Sequence, residues 1–176
     1  MRSMMAAGAL LCALAGAACA PEVRDGGPLE PAFSSGGVVE SARGSGHYFA
    51  GDQIRTLAFS AVRHADGTVS GEYQINVHAS ALWFHVTVEC MLTSGNVAWI
   101  GGHIDRSSDA AVVIPGTVSY FWMVDNGEGA GAPADIVSVA RINDVDAALE
   151  EFCTEGPTVL PPREIVNGNV QVRAAG

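Results

Sequence analysis

Apolar and polar side chains alternate with a period of two through most of the chain beyond residue 40. Between 54 and 64, Leu57, Phe59 and Ala61 fall on one face and Thr56, Ser60 and His64 on the other. Between 68 and 78, Gly71, Tyr73, Ile75 and Val77 oppose Ser70, Glu72, Gln74, Asn76 and His78. Between 82 and 92, Leu82, Phe84, Val86, Val88 and Cys90 oppose Trp83, His85, Thr87 and Glu89. Further β-branched and aromatic segments occur at 40–49, 96–106, 117–125, 135–142 and 169–173, with turns at Ala50-Gly51-Asp52, Ala65-Asp66-Gly67 and Ser94-Gly95-Asn96. The pattern predicts an all-β domain of about eight strands, a small antiparallel up-and-down barrel or coiled meander. Gly71 and the Gly101-Gly102 pair are placed where a sheet would bend toward closure, which also removes its exposed edges. One segment departs from the pattern: Val145, Ala148, Leu149 and Phe152 recur at helical spacing. They predict a short helix near 144–152, with Asn143 or Asp144 as its cap, carrying Cys153 back toward Cys90.

The residues before this domain divide in two. Residues 1–18 read as a lipoprotein or secretory signal peptide: Arg2 is followed by an uncharged run of about 14 residues, too short to span a bilayer. Gly16-Ala17-Ala18-Cys19 resembles a bacterial lipoprotein signal in which Cys19 is lipidated, although Gly16 stands where such signals prefer leucine. The rival is plain cleavage after Ala20, with Pro21 unfavourable just beyond the cut. Residues 19–39, with Pro21, Pro28 and Pro31 among several glycines, read as a flexible tether ahead of a β-barrel domain at 40–173. Of four cysteines, Cys12 leaves with the leader and Cys19 is set aside. Cys90 and Cys153 remain, an even pair that in an oxidising compartment reads as a disulfide closing a loop of about 60 residues.

The formal charge of −10 comes from 19 acidic and nine basic residues, and every basic residue is arginine. With no basic stripe to neutralise phosphates, nucleic acid is excluded as a partner class, and so is attraction to an anionic membrane surface. Membrane attachment is expected only through a lipid on Cys19.

Several blocks in order carry a resemblance: Gly44-Ser45-Gly46, His64-Ala65-Asp66-Gly67, Val88-Glu89-Cys90, Gly95 to Gly102, Asp125-Asn126-Gly127-Glu128-Gly129 and Gly168 to Val172. Over roughly residues 40 to 173 the chain resembles a group of small exported bacterial proteins of unknown function that share these blocks. The resemblance implies export and brings no catalytic residues with it.

Two constellations are chemically suggestive. Asp125, Asn126, Glu128 and Asp135 place hard oxygen ligands within eleven residues, which suits calcium, although the EF-hand order is missing. The alternative is a glycine-rich loop whose Asp and Asn side chains cap local backbone N–H groups. The second constellation depends on register. If the turn at Ser94-Gly95-Asn96 holds three residues, Thr93 opposes Val97, His85 faces Asp105 and Thr87 faces His103. That groups His85, His103 and Asp105 on the wet face, where they could bind a metal or move a proton. A loop of another length breaks the group. Trp83, Trp99 and Trp122 are expected to pack in or around the barrel rather than stack on a ligand.

No nucleophile elbow, zincin, Walker or dinucleotide-glycine motif occurs. The leading expectation is therefore an exported cell-envelope protein, a non-enzymatic β-barrel that is structural or binds a small apolar ligand or another envelope protein. No cofactor is expected beyond calcium. The alternatives are a barrel-type cyclase or isomerase with a cavity active site, and a calcium-stabilised extracellular interaction domain. A barrel interior filled by Phe59, Tyr73, Ile75, Phe84 and Val86 would favour the structural reading, and a roomy one the others.

Overall fold

A computed structural model describes residues 37–176 apart from Ala130 and Asp144. The signal peptide, Cys19 and the tether up to Gly36 lie outside the described residues. The elements are β1 (Val38–Ala50), β2 (Gln53–His64), β3 (Val69–Val77), β4 (Leu82–Ser94), β5 (Val97–Ser107), β6 (Val118–Val124), β7 (Ile136–Ser138), β8 (Arg141–Asn143), α1 (Asp146–Glu155) and β9 (Pro162–Arg173). Strands β1 to β6 pair antiparallel in sequence order, β6 pairs with β7, β7 with β9, and β9 with β1. The pairings return to their start, so the expected meander is closed into a ring.

The boundaries depart from expectation in three places, each for a local reason. The segment 135–142 is two strands, because the pairing to β6 slips by one residue between Met123↔Val137 and Ser119↔Ile142. At the break, the Ser138 hydroxyl accepts the Trp122 N–H at 3.0 Å in place of a ladder carbonyl. The last strand starts at Pro162 rather than 169, since proline is tolerated as the first residue of a strand. Its Ile165-to-Asn167 stretch is an irregularity against His47 and Tyr48. The helix runs from Asp146 to Glu155, with Asn143 Oδ1 accepting the Val145 N–H and left-handed Gly156 ending it.

The inward faces set by alternation fill the interior, the outcome that favours the structural reading. Phe59, Tyr73, Ile75, Phe84 and Val86 are 0–6% exposed and belong to one apolar cluster. Phe121 belongs to the same cluster, with Phe59 and Tyr73 packed edge-on to it at 5.7 and 5.0 Å. Burial of each such side chain contributes about 1.5–3 kcal/mol. Val113, from the loop between β5 and β6, joins this cluster at 3% exposure, so that loop turns one apolar side chain back onto the barrel core.

A second cluster lies on the opposite face of the sheet, where Trp99, Val118, Tyr120 and Trp122 pack against Leu149 and Phe152 of α1. Trp99 and Trp122 are thus packing residues, and Trp99 Nε1 donates to the Pro157 carbonyl at 3.1 Å. The Gly101-Gly102 pair serves both faces. A Cβ on Gly101 would sit 2.3 Å from Leu149 Cδ1, and one on Gly102 would sit 1.9 Å from the Thr87 carbonyl oxygen. The helix and the β4 backbone therefore approach β5 more closely than alanine allows.

The disulfide joins Cys90 to Cys153, with Cα atoms 6.0 Å apart. Sequence alternation placed Cys90 inward with Val86 and Val88. A β-bulge at Glu89 inserts one residue between the pairs Val88↔Gly102 and Cys90↔Gly101. It leaves Met91 in the inner cluster and turns Cys90 to the outer one, where α1 presents Cys153.

Candidate functional site

The same bulge decides the histidine question. The β4–β5 turn has two residues, Gly95 and Asn96, because Ser94 pairs with Val97. Gly95 provides positive φ at the first central position, which tight two-residue hairpins favour. Uncorrected, that turn would have moved every later pair by one. The bulge at Glu89 restores Thr87↔His103 and Val86↔Ile104, the pairs that the three-residue turn was expected to give. A second irregularity then sets His85 opposite Arg106 rather than Asp105.

The three residues of the expected polar group consequently fall into two sets. His85 Nδ1 lies 2.7 Å from Asp105 Oδ1, and its Nε2 lies 3.1 Å from Glu72 Oε2 on β3. His103 Nδ1 lies 2.9 Å from Glu89 Oε2, and its Nε2 lies 3.2 Å from Asp146 Oδ1 in the first turn of α1. Each ring spans two carboxylates on opposite sides, so the nitrogens diverge instead of converging on one point. Among the described residues no group of three or more His, Cys, Asp or Glu side chains is arranged to hold a metal ion. The hydrogen bond to Glu89 raises the His103 pKa; burial opposes it, and Asp146 adds to the rise. At Asp105 burial pushes upward, but the hydrogen bond and charge of His85 outweigh it and lower the carboxyl below its ordinary range. Beside His85 a solvent-open groove of about 400 Å³ is lined by Ser60, Glu72 and Gln74.

Sequence reasoning missed Glu72, Glu89 and Asp146 as partners. The first two had a readable signal, since alternation places them on the wet faces of β3 and β4. Asp146 had none, because the docking of a helix on β5 has no local pattern.

Asp125, Asn126, Glu128 and Asp135 come together on the loop between β6 and β7, and the carboxylates of Asp125, Glu128 and Asp135 accept hydrogen bonds from the chain itself. Asp135 is 5% exposed. Its Oδ1 accepts the Asn126 N–H and its Oδ2 the Val170 N–H, both at 2.9 Å. Asp125 accepts the Gly127 N–H at 2.8 Å and the Val172 N–H at 2.9 Å. Glu128 Oε1 accepts from the side-chain amides of Asn169 and Gln171, and Asn126 Nδ2 donates to the Ala134 carbonyl.

The placement of Val170 and Val172 explains the arrangement. β7 pairs with β9 only from Pro162 to Glu164, so the N–H groups of Val170 and Val172 on that edge have no strand beside them. Two carboxylates take the place of the missing carbonyls, and the loop latches the seam of the barrel. This is the capping role that aspartate performs in turns, extended across 35 and 47 residues of sequence.

Comparison with protein-family models, with curated proteins and with solved structures finds no match to this chain.

Proposed function

We propose that the chain is an exported protein of the bacterial cell envelope whose barrel acts as a non-enzymatic scaffold, carrying its function on its outer surface and loops. The observation that supports this most is the packed interior. Five large side chains at 0–6% exposure occupy the space that a barrel enzyme gives to an organic substrate. Export is supported by the charged start and apolar run of the leader and by the Cys90–Cys153 disulfide, a bond that persists in oxidising compartments. Small residues ahead of Cys19 support attachment through a lipid, with the tether lifting the barrel off the membrane.

The test has two arms. Mass spectrometry of the protein from a bacterial membrane fraction is expected to find an N-terminal Cys19 carrying a lipid; full-length chain in the cytosol would overturn export. In the second arm the folded protein is titrated with the dye 1-anilinonaphthalene-8-sulfonate. No saturable fluorescence gain is expected, and stoichiometric binding lost on substituting Phe59 or Phe121 would overturn the packed scaffold.

A further inference from the structure

Register sets the outer side chains of β1 to β4 in rows across the strands. The central row runs Ser45, Ala58, Gln74, His85, and the next runs Arg43, Ser60, Glu72, Thr87. On the other side of the central row stand His47, Thr56, Asn76 and Trp83. Apart from Ala58 and Trp83 every member is polar. The helix α1 packs over the aromatic cluster of β5 and β6 instead, and Ser45, Ala58, Ser60 and Glu72 are exposed.

The groove of about 400 Å³ lies in this face, where Ala58 and Ser60 are short and Glu72, Gln74 and His85 are long. Its polar walls are held in place by the protein. Glu72 and Asp105 take the two ring nitrogens of His85, and Gln74 Nε2 donates to Asn76 Oδ1 at 3.2 Å. Groups fixed in this way lose little freedom when a ligand arrives. Two residues along β4 from His85, about 7 Å at strand spacing, stands Trp83. It is half-buried and belongs to neither apolar cluster, whereas Trp99 and Trp122 pack under α1.

These features select a ligand class. Glu72 and Asp105 repel an anion, and a wholly apolar ligand would strip water from Ser60, Glu72 and Gln74 without replacing its hydrogen bonds. A hydroxyl both donates and accepts, so a polyhydroxylated ligand matches carboxylate, amide and hydroxyl walls together. The aromatic face of Trp83 suits the C–H face of a sugar ring.

We propose that this outer face binds a neutral oligosaccharide, with sugar hydroxyls bonded to Ser60, Glu72 and Gln74 in the groove and a further sugar ring stacked on Trp83. The proposal deepens the reading that the barrel carries its function on its outer surface, and rests on that reading without depending on export. Its failure is distinguishable, because the lipid and the dye arms read export and the packed interior separately.

The test titrates the disulfide-intact protein at pH 7 with cellotetraose, maltotetraose and tetraacetylchitotetraose, each to about 10 mM, by tryptophan fluorescence and calorimetry. Saturable binding of at least one is expected. Ala58→Arg, which fills the exposed floor of the groove, is expected to abolish it. Trp83→Ala, read by calorimetry, is expected to weaken it about tenfold. Val159→Gln, at an 83% exposed position beside α1, is expected to keep it. No saturable binding of any of the three sugars would overturn the proposal. So would binding that persists unchanged in folded Ala58→Arg and Trp83→Ala. A response to tetralysine and to none of the sugars would overturn it in favour of a basic peptide drawn to Glu72 and Asp105.

Discussion

Replacing Asp135 by alanine tests the seam latch at its most buried member. The substitution removes both oxygens that receive the Asn126 and Val170 N–H groups, at a site 5% exposed to solvent. A hydrogen bond to a charged group contributes about 1.5–3 kcal/mol, and here two donors are left without an acceptor, so the expected loss is about 3–5 kcal/mol. That is a large share of the stability of a domain this size, about 5–15 kcal/mol. Asp135→Asn keeps the shape and one acceptor oxygen but turns an amide N–H₂ toward a donor, and about half the loss is expected. Urea unfolding followed by the fluorescence of buried Trp99 and Trp122 reads the effect. With a slope of about 2 kcal/mol per molar, the alanine midpoint falls by about 2 M. A fall of less than about 0.3 M would refute the latch. So would a wild-type midpoint that rises with millimolar calcium, because the carboxylates would then be metal ligands rather than partners of β9.

Three further outcomes follow from the packing and the charges. Loss of the 63-residue disulfide loop in Cys90→Ser/Cys153→Ser is expected to cost about 4 kcal/mol on the chain-entropy model, and unchanged urea stability would contradict the staple. Gly102→Ala drives a Cβ to 1.9 Å from the Thr87 carbonyl and is expected to disrupt the β4–β5 pairing, seen as lost amide protection in β4; a native spectrum would show that the strands can part cheaply. Because Glu89 and Asp146 raise the His103 pKa, its contribution to stability is fully present below the ordinary histidine value of 6.5. It is lost as pH rises through the raised folded value. His103→Gln should flatten that part of the urea-midpoint curve, and an identical pH profile in the variant would remove the bridge to α1.

The strands, their inward faces and the disulfide partners were legible in the sequence because each depends on residues close together or on a simple period. Leu57, Phe59 and Ala61, or Tyr73, Ile75 and Val77, declare their face by alternation alone. The bulge at Glu89 was not legible, since an inserted residue leaves the composition of a strand unchanged. It nevertheless decides which way Cys90 points and which residue meets His103. The acidic loop was visible as a cluster of oxygens, but its partners were not. Val170 and Val172 offer only backbone N–H groups, identical in every sequence, and they become available because β7 stops short beside β9.

Closure of the barrel through its loop carboxylates is the claim on which the rest depends, and amide hydrogen exchange by NMR reads it at single residues. Val170 and Val172 are predicted to exchange as slowly as the amides of central β2 and β3, and both should lose that protection in Asp135→Ala and Asp125→Ala, respectively. Exchange of these two amides at the rate of an open edge, in the unmodified protein, would contradict the account.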